Sequence, residues 1–266
     1  MTTAPVTGIV DLHHHLLPQV DDGATDPATA VELARVAASE GIATIVCTPH
    51  TLDGVHDVPR ERAREAFARL RDDCAAAGIA IELRLAAEVR MHESIAGVLA
   101  ASPDVSLDGA GRYLLLELPH QSIPSTLPQF LFALRARGTT PVIAHPERNL
   151  AVRGDPSLAA AWVASGALLQ LTAGSLDGTF GKPIEACALT LLRAGIVHVI
   201  ATDAHSLQRR PPRIQPALRV AASIVGDDGA RRLAVENPRG IVDGVPRDAI
   251  RPAEVVRRRW LPWRRA

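Results

Sequence analysis

His13, His15, Asp22, His50, Glu88, Glu117, His145, Asp203 and His205 are the side chains whose types and positions point to chemistry. They stand in DLHHH, VDDG, IATIVCTPH, LRLAAE, YLLLE, PVIAHPER and VHVIATDAH, and almost every one follows directly on an apolar run. Imidazole and carboxylate together suit borderline and hard divalent cations, and their delivery to one end of many strands makes a polynuclear metal centre. His13 and His15 are spaced two apart, which on a strand puts both on one face and turns His14 away. The same alternation puts Asp11 on their side, in position to support the ligands from behind. A lone buried histidine is ordinarily a core or loop residue, and a strand-end carboxylate is ordinarily a helix cap. Repetition at successive strand ends is what those readings leave unexplained.

Short apolar runs over 9–12, 42–48, 79–86, 112–117, 141–144, 167–171 and 197–201 read as strands. Between the first two lies DPATAVELARVAASEG, where Asp26 caps a helix, Pro27 suits its first turn and Gly41 its left-handed stop. Further helices are expected over 59–77, 92–101, 126–137, 156–165, 182–194, 213–225 and 228–235. Repeated strand-then-helix order implies parallel pairing with helical cover, an α/β fold. No glycine-rich phosphate loop follows the first strand, and ligands arise from nearly every strand. A closed seven-stranded ring brings such residues together where a flat sheet does not, with the chemistry at the strand carboxyl ends.

The chain has 266 residues, is 47% hydrophobic and carries no net formal charge, which suits one sizeable domain. We assign residues 1–250 to that domain and 251–266 to a basic tail. Neutrality and an aromatic share of 3% give no reason to expect a nucleic-acid partner. Cys47, Cys74 and Cys187 are spaced like neither a disulfide framework nor a zinc ribbon, so a reducing compartment is expected. No stretch approaches the ~20 apolar residues of a membrane span, and the first ten residues lack the pattern of a signal peptide. A cytoplasmic location is expected.

The strings DLHHHLLPQVDDGA, CTPH, AAE, LLLELP, PVIAHPERN, GALLQLTAGSLDGTFG and ATDAHSLQRRPPR resemble the bacterial tyrosine-protein phosphatases of the polymerase-and-histidinol-phosphatase (PHP) superfamily, of the CpsB/CapC type associated with capsule and exopolysaccharide synthesis. The likeness runs in order from about residue 9 to 240 and includes a closing ENPRGIV. It implies a distorted seven-stranded TIM-like (β/α) barrel and up to three divalent metal ions, with Mn favoured and Fe or Zn as alternatives. His13, His15, Glu88 and Asp203 would hold the first metal, Glu88, Glu117 and His145 the second, and Asp22, His50 and His205 the third. Glu88 would bridge. The choice of Asp22 over Asp21, which can cap a turn, also rests on the resemblance. The implied substrate is protein phosphotyrosine, on a bacterial tyrosine kinase that regulates polysaccharide synthesis.

The residues agree chemically with that grouping. Four carboxylates against three divalent cations leave a formal surplus of two positive charges, which favours a phosphomonoester dianion and an added hydroxide. A metal-bound hydroxide is the expected nucleophile, because a metal lowers the pKa of bound water to about 7. Arg148, three residues past His145, and Arg210, five past His205, are the expected phosphate clamps, since guanidinium matches two phosphate oxygens and stays charged. Arg209 and Arg213 are alternates for Arg210.

Cys187 and Arg193 form C-x5-R, the spacing of cysteine-based phosphatases, but ALTLL between them is apolar and helical in pattern. A helix interior commits its N–H groups to its own carbonyls and leaves none for an anion. His198 reads as core; His56, His92 and His120 fall in loops or a helix start, with His120 near the substrate entrance. Tyr113 and Trp162 read as core or interface. In the tail, Arg257, Arg258, Arg259, Trp260, Trp263, Arg264 and Arg265 form either a solvated end or a contact for an anionic membrane surface. Two other functions share these metals: a small-molecule phosphatase such as one for histidinol phosphate, and a catalytically quiet, metal-stabilised regulatory subunit.

Overall fold

The computed structural model describes residues 5–256. Nine strand segments occur in chain order: β1 Ile9–His14, β2 Ile42–Cys47, β3 His50–Thr51, β4 Glu82–Leu85, β5 Glu88–Arg90, β6 Tyr113–Glu117, β7 Thr140–Ala144, β8 Leu168–Thr172 and β9 Val199–Ala201. All pairings between them are parallel, in a three-stranded sheet β1-β2-β4 and a six-stranded sheet β3-β5-β6-β7-β8-β9. The α/β class follows from the alternation, while the ladders fall into two sheets rather than one. The interruptions are local. The strands expected over 42–48 and 79–86 are β2 and β4, and after breaks at Thr48 and Pro49 and at Ala86 and Ala87 each is followed by a short strand outside that expectation, β3 and β5. On the other flank a single parallel bridge joins His14 to Ala204, supported by Asp203 N–H to His13 O at 2.8 Å and His15 N–H to Ala204 O at 2.9 Å.

The strands bury both faces, as parallel sheets under helical cover must. One cluster packs between strands and helices; Ile9, Leu114, Leu116, Ile143 and Leu169 belong to it. A second gathers side chains from both sheets, including Val10, Leu12, Val46, Ala86, Tyr113, Leu115, Val142, Leu168, Val199 and Ala201, with Ile241, Val242 and Ile250. Period-two alternation carries that inner row onward to the candidate ligands: Tyr113 and Leu115 to Glu117, Ala86 to Glu88, and Val199 and Ala201 to Asp203. In β1 the register with β2 shifts between Asp11 and His14, so strict alternation stops there. Leu12 belongs to the inner cluster and its neighbour His13 meets the other ligands, which an unbroken strand would not allow.

Helix Pro27–Ser39 begins as expected, with Asp26 accepting from Thr29 N–H at 2.8 Å and Gly41 at φ 85° just past its end. The expected helices over 213–225 and 228–235 merge into Gln215–Arg231, kinked at Gly226, and are followed by a π-helical turn over Arg232–Glu236. Short helices over Leu150–Gly154, Ala173–Leu176 and Asn237–Val242 lie outside the sequence-based assignment. Beyond residue 250 the chain stays on the body: Ala253 is buried and Val256 N–H reaches Ile224 O at 3.0 Å. Among the described residues no helix is long and apolar enough to cross a membrane. The Arg/Trp segment from Arg257 to Arg265 lies outside the described residues.

Candidate metal centre

The candidate ligands lie in or next to strands, apart from Asp22 in the loop after β1, and the local backbone is shaped to deliver them. His13 lies in β1, and His15 directly follows it. His50 and Glu88 open β3 and β5 and stand opposite each other in register. Glu117 closes β6. His145 and Asp203 follow β7 and β9 in left-handed backbone, at φ 33° and φ 52°. Such conformations cost non-glycine residues roughly 1–3 kcal/mol each and are held only where the surroundings dictate them. Gly23 serves the same end, because a Cβ there would lie 2.1 Å from His15 O.

Glu88 is at the centre. Its Oε2 lies 3.3 Å from His13 Nε2, 3.5 Å from His15 Nε2 and 3.2 Å from His50 Nδ1, while Oε1 lies 2.9 Å from His145 Nε2. Asp203 Oδ1 approaches His13 Nε2 at 3.2 Å and His15 Nε2 at 3.6 Å, and the two imidazole Nε2 atoms are 3.2 Å apart. Asp22 Oδ1 stands 3.3 Å from both His50 Nε2 and His205 Nε2. Donors about 2.1 Å from one cation at angles of 90–120° lie roughly 3.0–3.6 Å from each other. The separations around Glu88, Asp203 and Asp22 have that size. Glu117 joins through a group with His50 and Glu88 whose donor atoms lie within 4.8 Å of one another. All nine candidate ligands fall in such groups, so the donor set fits divalent metal.

The surroundings orient these donors. Gln170 Oε1 is 3.0 Å from His13 Nδ1, Asp21 Oδ2 is 2.8 Å from His15 Nδ1, and Asp203 O is 3.0 Å from His205 Nδ1. In each case the second nitrogen is occupied and Nε2 is left to face the cluster, the usual arrangement behind metal-bound imidazole. Asp21 thus supports His15 from behind and also accepts from Gly23 N–H at 3.0 Å. Asp11 corrects the expectation from strand alternation. It supports no imidazole directly; its carboxylate takes Thr202 N–H at 2.9 Å and Thr202 Oγ1 at 2.5 Å, fixing the residue before Asp203.

Burial opposes every charge here, and the neighbours decide each outcome. Burial pulls the His13 pKa down, but the Glu88 and Asp203 carboxylates outweigh it and raise the value to about 9. His50 is likewise desolvated, yet Asp22 and Glu88 raise it to about 10. Glu88 and Asp203 resist the upward push of burial and stay well below the usual carboxylate range, held there first by His13. His205 falls to about 4 through burial and then the adjacent His15. Without metal the site therefore sets protonated His13 and His50 in a lattice with the Glu88 and Asp203 carboxylates while His205 is neutral, and a cation binding there would displace protons from His13 and His50.

Both candidate clamps reach this lattice. Arg148 Nη1 lies 2.5 Å from Asp203 Oδ2, and Arg210 Nη2 contacts the same oxygen. Arg210 is the arginine of its loop that arrives there; Arg209 and Arg213 are exposed and make no side-chain hydrogen bond or ion pair among the described residues. His120, half exposed, lies 3.2 Å from Glu117 Oε1 and stacks on His145 at a centroid distance of 5.7 Å. The sequence reading did not single out Arg90, 3.3 Å from Glu117 Oε2, or Asp53, and took His56 for a loop residue, whereas Asp53 and His56 form a further donor group with His50. It also passed over Gln170, although a polar residue inside the apolar run LLQLT is a readable signal. Cys187 is buried within helix Lys182–Arg193, burial pushes its thiol up to about 11, and Arg193 is exposed at the helix end.

Comparison with known proteins points the same way. Tyrosine-protein phosphatase YwqE of Bacillus subtilis is 38% identical over 83% of this chain and 86% of its own length. Tyrosine-protein phosphatase CpsB of Streptococcus pneumoniae is 28% identical over 88% of this chain and 98% of its own length. A solved structure from work on YwqE and CpsB, described as unique metal-dependent tyrosine phosphatases, superposes with TM-score 0.83 at 34% identity, over 92% of this chain and all of that one. A 5-methylcytosine deaminase from Klebsiella pneumoniae shares the fold alone, at TM-score 0.53 and 15% identity. The family model for capsular polysaccharide synthesis proteins matches residues 9–243, so all nine strands and all nine candidate ligands lie inside it, and the chain belongs to this CpsB/CapC family.

Proposed function

We propose that this chain is a metal-dependent protein-tyrosine phosphatase that hydrolyses the phosphate ester of a phosphotyrosine protein. The observation that carries the reading is Glu88, whose Oε2 faces the imidazoles of His13, His15 and His50 while Oε1 faces that of His145, as suits a carboxylate shared between metals. In this reading His13, His15, Glu88 and Asp203 hold one divalent ion, Glu88, Glu117 and His145 a second, and Asp22, His50 and His205 a third, with Mn favoured. When bound, such ions activate water near neutral pH and neutralise phosphoryl charge. The two sheets are read as the arcs of one distorted seven-stranded barrel, with the interrupted β2/β3 and β4/β5 each counted as one strand.

The chain's own residues then have distinct roles. Arg148 and Arg210 bind the phosphate, with planar donors that suit two of its oxygens. Asp203 holds both guanidinium groups at the cluster before substrate arrives. Buried Gln170, Asp21 and Asp11 keep ligands in place through side-chain and backbone contacts. The family's link to capsular polysaccharide and the tyrosine phosphatases among its relatives support reading a bacterial tyrosine kinase as the substrate, and we place the reaction in the cytoplasm.

The test is a substrate screen on purified protein reconstituted separately with Mn, Fe and Zn, comparing a phosphotyrosine peptide with histidinol phosphate. Hydrolysis of the peptide with the higher kcat/KM supports the proposal. Preference for histidinol phosphate would make the protein a small-molecule phosphatase, and inactivity of every metal form on both would leave a regulatory subunit.

A further inference from the structure

Beside the metal cluster, the loops after β8 and β9 enclose a cavity of about 210 Å3. Arg209, Arg210 and Arg213 line it from one loop; Phe180 and Asp177 line it from the other. Asp177 is the sole carboxylate of the lining, and its Oδ1 already accepts from Thr179 N–H at 3.0 Å and Thr179 Oγ1 at 2.6 Å. Three arginines therefore line the cavity against one carboxylate, of which one oxygen is already engaged. Arg210 is satisfied only on its cluster side, where Nη2 meets Asp203; its Nε is buried with no hydrogen-bond partner. A buried charged donor without an acceptor is costly, so an arriving anion has a defined place to bind.

The cavity is joined to the proposed phosphate site through two residues. Arg210 belongs to both. Phe180 lines the cavity and also lies under the Arg148 guanidinium, 5.3 Å from ring centroid to Cζ. It is held there closely, because a Cβ at Gly174 would sit 3.1 Å from its ring. A substrate whose phosphate is clamped by Arg148 and Arg210 therefore has its neighbouring residues at this cavity.

Resting on the phosphatase reading above, we propose that this cavity is a subsite for an acidic side chain next to the phosphotyrosine, with Arg209 and Arg213 reading its charge. The enzyme then selects phosphotyrosine in acidic sequence. Exposed guanidinium groups each contribute modestly, but two acting on one carboxylate give roughly five-fold or more in kcat/KM, chiefly through KM. The preference shrinks as salt rises, because these charges are accessible to screening.

The experiment measures kcat/KM of the metal-loaded enzyme on three phosphotyrosine peptides of one backbone, with Glu, Ala or Lys on both sides of the phosphotyrosine. The wild-type enzyme should prefer Glu over Ala by roughly five-fold and Ala over Lys. In Arg209→Glu/Arg213→Glu the order should invert, so that the Lys peptide becomes the better substrate; reversal of order is a readout that mere loosening of the loop does not produce. Equal hydrolysis of all three by the wild type, or an unchanged order in the double variant, overturns the subsite and leaves the phosphatase reading standing. Hydrolysis of none overturns both.

Discussion

Arg148 and Asp203 are joined through one oxygen: Arg148 Nη1 lies 2.5 Å from Asp203 Oδ2, while Oδ1 of the same carboxylate faces His13 at 3.2 Å. One carboxylate thus links the candidate metal cluster to the candidate phosphate clamp. The arrangement keeps a guanidinium beside the cluster at small entropic cost, since its side chain is already ordered.

Arg148→Ala should lower kcat/KM on a phosphotyrosine peptide by at least ~10-fold, because a charge-assisted hydrogen bond is worth about 1.5–3 kcal/mol. Metal content should persist, since Arg210 and the Asp11–Thr202 contacts still hold the Asp203 segment. Arg148→Lys should restore activity only in part, because a point charge does not reproduce a planar fork. Steady-state kinetics alongside elemental analysis separate the two effects; native kcat/KM in Arg148→Ala would remove this residue from the site.

Glu88→Ala should abolish metal binding and turnover together, with a larger loss of metal than from any ligand that serves one ion. His13, His15, His50 and His145 all lie within 3.5 Å of its oxygens, so its removal leaves four imidazoles facing one another. Elemental analysis after reconstitution is the measurement. Unchanged metal stoichiometry with full turnover would sink the assigned centre.

The candidate ligands were legible because strand periodicity and apolar runs mark where a side chain must emerge: Glu117 continues the row Tyr113, Leu115, and Asp203 the row Val199, Ala201. The supporting contacts were less so. Asp11 was expected behind the His13 and His15 imidazoles but acts through Thr202 beside Asp203, because a register shift in β1 breaks the alternation and no residue type announces that shift. The breaks at Thr48 and Ala86 depend on how neighbouring strands pair, a property of distant segments that a linear pattern does not carry. Gln170 carried a local signal, but its partner His13 lies 157 residues away.

Cys187→Ser should keep nearly native turnover. The thiol is buried in a helix, its pKa is pushed up to about 11 by burial and then Glu147, and Arg193 points to solvent at the helix end. A nucleophilic cysteine needs the opposite conditions. Acid quenching during turnover should trap no phosphocysteine, and loss of activity with fold and metal intact would restore the C-x5-R reading.

His198 gives the fold a pH dependence of its own, away from the metal cluster. It is fully buried, its Nδ1 accepts from Leu169 N–H at 3.3 Å, and its Nε2 has no partner. Burial, and then Arg247, lower its pKa to about 3. The unfolded chain, with a reference value near 6.5, binds this proton first. Stability from the neutral imidazole is therefore complete above pH 6.5 and is lost progressively as pH falls toward 3. At pH 5 the loss is about 2 kcal/mol relative to pH 7. His198→Leu should lower stability at pH 7, since Leu169 N–H loses its acceptor, but should flatten the decline between pH 7 and pH 5 by about that amount. Urea unfolding of metal-free wild type and variant at both pH values measures it, and parallel declines in the two proteins would show that His198 does not carry the proton linkage.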